Sequence, residues 1–283
     1  MTRTGGRLGT FPPAPQPLRV PVPDSHTHLD ITLSEGGGGG PRTVKEAIEL
    51  AAAAGVDRLV QVGTEVGSSR WSADLAEEHR AVLATVALHP NEAPRLSDLD
   101  GALREIESVA GRDRVRAVGE TGLDFFRTPE PGRPTQEASF RAHIAIAKRH
   151  GKALVIHDRD AHAEILRVLD EEGAPDAVVM HCFSGDAAFA IECAKRGYVL
   201  SFAGTVTFAS AGALREAARV TPLDQILVET DAPYLTPMPY RGRPNASYLI
   251  PLTVRALAET KGVEVDELCA AISATGERIF GPW

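Results

Sequence analysis

Two imidazoles stand two residues apart in the run Asp24-Ser25-His26-Thr27-His28, directly after an apolar, β-branched stretch. Alternate residues of a strand point to the same side, so His26 and His28 can reach a single ion. The same pattern recurs along the chain. Glu120 follows the apolar stretch 115–119, His157 follows 153–156, His181 follows 177–180, and Asp231 follows 225–229. Four histidines and two carboxylates exceed what one tetrahedral zinc takes. They suit two divalent ions that share a carboxylate and activate a water. Buried charge on this scale is costly unless it is paired or metal-bound, so a purely structural use accounts for it poorly. Lysine does not provide the bridge: Lys45, Lys148, Lys195 and Lys261 fall in helical stretches, and Lys152 stands at the entry of a strand. Glu120 is left as the bridging group. With nitrogen and oxygen ligands only, zinc, manganese, iron and magnesium are all admissible.

The elements that must position these groups alternate regularly. Short β-branched runs at 20–25, 58–62, 82–88, 115–119, 153–156, 177–180, 198–201 and 225–229 predict strands. Helical patterns intervene at 43–54, 68–79, 98–110, 135–150, 160–172, 185–195 and 211–219, with two more at 248–261 and 265–279. Several stop at glycine, as in His150-Gly151 and Arg196-Gly197. Eight strand–helix units of about 30 residues are the usual size of a single (β/α)8 TIM barrel, and no G-x-G-x-x-G follows any strand to suggest a doubly wound sheet. Active sites of such barrels gather where the strands end, which is where the polar groups are found. Residues 20–283 are thus one barrel domain. Residues 1–19, rich in Pro, Gly and Arg, read as a flexible lead-in, and the run 36–40 as a mobile glycine loop on the active face.

Other polar groups at strand ends are candidates for substrate contact. His89 opens His89-Pro90-Asn91 after the third strand and reads as a substrate contact or a hydrogen-bonded structural group, and Arg159, two residues past His157, can clamp an anionic group or pair with a neighbouring acid. Tyr234, Arg241, Arg243 and Asn245 occupy the Pro-rich loop after the eighth strand, which reads either as a source of phosphate contacts or as a solvated surface loop. His79, His143, His150 and His162 fall in or at the ends of helices and take the plainer reading of solvent exposure or helix-end charge. Cys182 has no nucleophile–base partner nearby in sequence.

Thirty Lys and Arg against 38 Asp and Glu leave a net charge of −8 on 283 residues. Whole-molecule attraction to nucleic acid or an anionic membrane is therefore excluded, and a polyanion must be held locally, as bound metal would do. No apolar run spans a bilayer, the first 23 residues lack a signal-type apolar core, and three cysteines without a C-x-x-C pair suggest neither a disulfide framework nor a cysteine zinc site. The expectation is a cytoplasmic monomer with no membrane or obligate protein partner.

The runs DSHTHLD, GETGLDF, IHDRDA, HCFSG, FAGTVTF, ETDAPYLTP and RGRPN, in this order from about Val20 to the C-terminus, resemble the TatD family of metal-dependent deoxyribonucleases, amidohydrolase-like metallo-barrels. The resemblance implies that His26, His28, Glu120 and Asp231 ligate one metal and Glu120, His157 and His181 the second. It also implies that Asp231 accepts the proton of the attacking water. The implied cofactors are two divalent ions, magnesium for activity with zinc or manganese as substitutes. The implied substrate is single-stranded DNA, or RNA, trimmed from the 3′ end, with roles in DNA repair and fragmentation. The chain departs from the family pattern at Asn91, at Ala246-Ser247 and at Phe126, where relatives often carry tyrosine; Phe126 or Tyr234 is expected to stack a terminal base. A carbonyl-ester or amide hydrolase using the same centre, such as a D-aminoacyl-tRNA deacylase, is the competing reading, because one activated hydroxide serves either electrophile.

Overall fold

A computed structural model of the protein describes residues 9–34 and 38–283. Eight parallel strands are hydrogen-bonded in sequence order: β1 (Val22–Thr27), β2 (Val56–Val62), β3 (Val82–Val86), β4 (Val115–Asp124), β5 (Ala153–Arg159), β6 (Val178–Met180), β7 (Val199–Phe202) and β8 (Ile226–Val228). The helices α1 (Leu29–Ser34), α2 (Val44–Ala53), α3 (Val66–Glu78), α4 (Leu99–Ala110), α5 (Arg133–His150), α6 (His162–Glu172), α7 (Ala187–Lys195), α8 (Gly212–Val220), α9 (Ile250–Lys261) and α10 (Val265–Phe280) surround them. This is the expected (β/α)8 barrel. The strands are built mainly of apolar residues, because side chains on one face fill the barrel and those on the other meet helices; buried polar groups interrupt them chiefly on β1 and β4.

Closure is concentrated at one end. β1 and β8 are joined by Asp231 N–H donating to His26 O at 2.9 Å, His28 N–H to Ala232 O at 2.9 Å and the bridge Thr27–Ala232. Ser25 Oγ reinforces the seam with a 2.9 Å bond to Val228 O. The seam therefore lies among the polar residues.

Strands β4 and β5 run beyond their expected ends, to Asp124 and Arg159. Their apolar pattern stops before the ladder does, because the last residues face a polar barrel mouth. Between Val118–Leu154 and Thr121–Ile156 the pairing gains one residue on β4, a bulge at Gly119-Glu120. A side chain at Gly119 would meet Val155 at 2.5 Å, and one at Gly122, with φ +137°, would meet His157 O at 2.1 Å. Only glycine lets β4 lie this close to β5 while the bulge redirects Glu120.

The expectation of a flexible lead-in over 1–19 is corrected for the described part of that segment. Phe11 is buried with Tyr248 and Leu249 and donates to Gly38 O at 3.1 Å; Tyr248 Oη donates to Pro12 O at 2.6 Å, and Leu18 N–H to Ala54 O at 3.0 Å. Burial of an apolar side chain and paired backbone groups anchor a stretch that Pro and Gly content alone marks as loose. Of the glycine run 36–40, residues 36 and 37 lie outside the described residues, and Gly38 is paired to Phe11 as above.

His143 is corrected too. Far from solvent, it is fully buried on α5, accepts Leu88 N–H at Nε2 (3.0 Å) and faces Ser139 O through Nδ1 (2.7 Å), fixing the chain just before His89. Burial pushes its pKa down to about 4. The folded state thus resists a proton that the unfolded chain takes up near pH 6.5. Stability contributed by neutral His143 is complete above pH 6.5 and is lost on acidification toward pH 4, by about 3 kcal/mol. Urea unfolding at pH 7.5 and pH 4 is expected to show that the His143→Gln variant, though less stable at pH 7.5, loses about 3 kcal/mol less than wild type between the two.

Candidate metal centre

Every ligand candidate named from the sequence arrives at the mouth end of the barrel. His26 and His28 come from β1 and its exit, Glu120 from the β4 bulge, His157 from β5, and His181 and Asp231 from the residues after β6 and β8. Asp231 adopts φ +51° and Cys182 φ +44°, left-handed turns that fold the chain sharply as it leaves the barrel.

Glu120 is the hub. Its Oε2 faces His26 Nε2 at 3.4 Å and His28 Nε2 at 3.9 Å, while its Oε1 faces His157 Nδ1 at 2.6 Å, His181 Nε2 at 3.1 Å and His89 Nε2 at 3.4 Å. Asp231 Oδ1 closes the Oε2 side, 3.4 Å from His28 Nε2 and 3.9 Å from His26 Nε2. Among the described residues, three sets of donor atoms lie within 4.8 Å of one another: His26, Glu120 and His181; His26, His28 and Asp231; and His89, Glu120 and His157. Both ring nitrogens of His26 are buried without a hydrogen-bond partner, a costly arrangement that a coordinated cation relieves. The donor set of imidazole and carboxylate in a buried cup therefore fits divalent metal.

The electrostatics agree. Burial would raise the Glu120 carboxyl, but the surrounding imidazoles hold it well below the usual range. Burial would likewise lower His157, yet its contacts with Asp124 and Glu120 push it up to about 9. Both shifts express a demand for positive charge between these groups, which a dication meets by displacing protons.

Three supporting carboxylates escaped sequence reasoning. Asp124 Oδ2 lies 3.3 Å from His157 Nε2 and accepts Asn91 Nδ2 at 2.9 Å. Glu229, fully buried, lies 2.9 Å from His181 Nδ1. Asp24 accepts both the backbone N–H (2.9 Å) and the hydroxyl (2.6 Å) of Thr230, and burial pushes its carboxyl up to about 7. Carboxylates behind metal-facing imidazoles orient the ring and fix its tautomer. A signal existed: Asp24 and Asp124 stand two and four residues from His26 and Glu120, within the same polar runs at the strand ends.

The substrate candidates divide. Arg159 stacks its guanidinium 4.0 Å from the ring of Phe126, which is 64% exposed. Arg241 lies 4.4 Å over Phe208, and the Tyr234 ring is 6.4 Å from that of His28. Arg243 and Asn245 are corrected: Arg243 donates through Nε to Thr10 O (2.8 Å) and through Nη2 to Phe11 O (2.8 Å), and buried Asn245 donates to Thr230 O (3.0 Å) and Tyr234 O (2.6 Å). Both hold the loop after β8 in place. His162 pairs with Asp158 at 2.7 Å, outside the cluster, and burial pushes the Cys182 thiol well up, leaving it without thiolate character. Lys152 is tied to Arg112 O (2.8 Å) and other carbonyls at the opposite end of the barrel. Among the described residues no helix is long and apolar enough to cross a membrane.

Comparison with known proteins points the same way. The profile of the family described as "TatD related DNase" matches residues 23–281. An "uncharacterized metal-dependent hydrolase TatD" of Mycobacterium tuberculosis is 46% identical over 265 residues, covering 91% of this chain and 97% of the relative. A "3'-5' ssDNA/RNA exonuclease TatD" of Citrobacter rodentium is 34% identical over 246 residues, covering 83% and 91%. Among solved structures, the TatD homologue YJJV of Escherichia coli superposes with a TM-score of 0.82 at 28% identity, covering 92% of this chain and 97% of that one.

Proposed function

Because the chain belongs to the TatD-related DNase family of metal-dependent hydrolases, we propose that it hydrolyses phosphodiester bonds of single-stranded DNA or RNA, removing nucleotides from the 3′ end. The observation that carries this reading is the placement of Glu120, one oxygen toward His26 and His28 and the other toward His157 and His181, with Asp231 alongside. The Citrobacter relative, named for 3′–5′ exonuclease action on DNA and RNA, supports the choice of substrate.

In this reading His26, His28, Glu120 and Asp231 hold one divalent ion, and Glu120, His157 and His181 hold a second. When bound, the ions supply the positive charge that draws phosphate to a chain of net charge −8 and lower the pKa of water. Asp231 takes the proton of the attacking water. Glu229 and Asp124 keep the rings of His181 and His157 turned toward Glu120. His89, Arg159, Tyr234 and Arg241 contact the substrate, and Phe126, exposed beneath Arg159, offers a face on which a base stacks.

The test is digestion of 3′- and 5′-labelled single-stranded oligonucleotides with magnesium, manganese, zinc or EDTA. A ladder shortening from the 3′ end, supported by at least one of the metals and abolished by EDTA, is expected. Intact oligonucleotide under every metal, with hydrolysis of an aminoacyl ester instead, would replace this reading with the carbonyl one.

A further inference from the structure

By distance alone His89 belongs with the metal ligands: its Nε2 is 3.4 Å from Glu120 Oε1, and with Glu120 and His157 it forms one of the three close donor sets. Its other nitrogen argues against that. The backbone N–H of Asn91 donates to His89 Nδ1 at 3.0 Å. A backbone amide is only ever a donor, so Nδ1 presents its lone pair and carries no proton. The ring is then neutral with its proton on Nε2, and a protonated nitrogen does not coordinate metal. His157 and His181 are arranged oppositely: their outer nitrogens face the carboxylates of Asp124 and Glu229, which favour a proton there and leave the inner nitrogens free as ligands.

The tautomer is fixed by a rigid three-residue turn. Pro90 separates His89 from Asn91, His89 N–H donates to Thr64 O at 2.8 Å, and His89 O accepts Glu92 N–H at 2.9 Å. The Asn91 side chain is anchored as well, donating to Asp124 at 2.9 Å and accepting Thr128 Oγ1 at 3.0 Å. His89 stands on the Oε1 side of Glu120, whereas Asp231 stands on the Oε2 side. A donor across Glu120 from the base is placed to meet a phosphoryl oxygen of a substrate held between them.

We propose that His89 is a metal-independent catalytic residue, a neutral imidazole locked as the Nε2–H tautomer that donates a hydrogen bond to a phosphoryl oxygen of the substrate. It transfers no proton and holds no ion. The proposal rests on the phosphodiester reading for its substrate but makes separate claims about the ring. A fixed donor aimed at developing negative charge is worth roughly 10²–10³ in rate.

Three measurements test it. Long-range proton–nitrogen NMR of zinc- or magnesium-loaded protein is expected to show His89 protonated on Nε2 alone, and adding thymidine 5′-monophosphate is expected to shift that proton. Metal analysis after dialysis is expected to give His89→Ala the same metal content as wild type, while kcat/KM on an oligonucleotide falls about 10²- to 10³-fold. His89→Gln, which keeps an N–H donor, is expected to recover part of that loss. A proton on Nδ1, an unmoved resonance with the nucleotide, a lost equivalent of metal in His89→Ala, or an undiminished rate in that variant would each overturn the assignment. If wild type cleaves no diester, yet the ring is the Nε2–H tautomer and responds to the nucleotide, the donor role stands and the exonuclease reading fails.

Discussion

Replacing Glu120 by glutamine is expected to abolish hydrolysis and to remove at least one equivalent of bound metal while leaving the barrel folded. Both oxygens of this carboxylate are engaged, with imidazole nitrogens at 2.6, 3.1 and 3.4 Å on one side and 3.4 and 3.9 Å on the other. Glutamine keeps one oxygen, turns the other into an N–H₂ donor, and removes the negative charge that balances the imidazoles. An ion that polarises substrate contributes several kcal/mol to the transition state, and at about 1.4 kcal/mol per decade its loss lowers the rate by about 10³-fold or more. The variant should still melt cooperatively as a folded barrel, since Glu120 lies at the barrel mouth and not in the apolar core. Metal content by elemental analysis, oligonucleotide turnover and a thermal melt measured together separate lost chemistry from lost structure. A Glu120→Gln protein with full metal and full activity would remove Glu120 from its bridging role.

Asp231→Asn is expected to behave differently: metal content close to wild type, with kcat lowered about 10²- to 10⁴-fold. Asparagine retains an oxygen that can face His26 and His28 but has no basic lone pair to accept a proton. Asp231 is suited to that task because contacts with His28, His181 and His26 outweigh burial and keep its carboxyl ionised below the usual range. Single-turnover kinetics on metal-saturated protein read this directly. Unchanged turnover would assign proton acceptance to another group, and loss of metal in parallel with activity would make Asp231 chiefly a ligand.

The positions of the six ligand candidates were legible because two simple rules coincide: alternate residues of a strand share a face, and a (β/α)8 barrel collects polar groups where its strands end. What escaped depended on partners far away in sequence. Asp24 is defined by Thr230, 206 residues on, and Arg243 by Thr10, 233 residues back. No local pattern shows either. His143 read as a surface helix residue because its neighbours on α5 include arginine and lysine; only the backbone amide of Leu88, 55 residues earlier, explains a histidine in the core. The ends of β4 and β5 were misplaced for a related reason. Hydrophobicity marks a strand only while both faces are buried, and these two continue into a polar cup. His89 shows the limit most clearly, since residue type and distance both suit a ligand and only the direction of one amide proton separates it from the others.

The seam between β1 and β8 has a consequence for when the protein becomes active during its synthesis. Asp231 reaches the cluster through the same contacts that close the barrel, its N–H bonded to His26 O and Thr230 bonded to Asp24. A growing chain can order its first seven strands and still lack the complete set of donors. Its hydrolytic centre is assembled only once residue 231 has left the ribosome and docked beside the first strand. A chain cut short before that point holds His26, His28, Glu120, His157 and His181 without Asp231, so under the proposed mechanism hydrolytic competence reports completion of the ring.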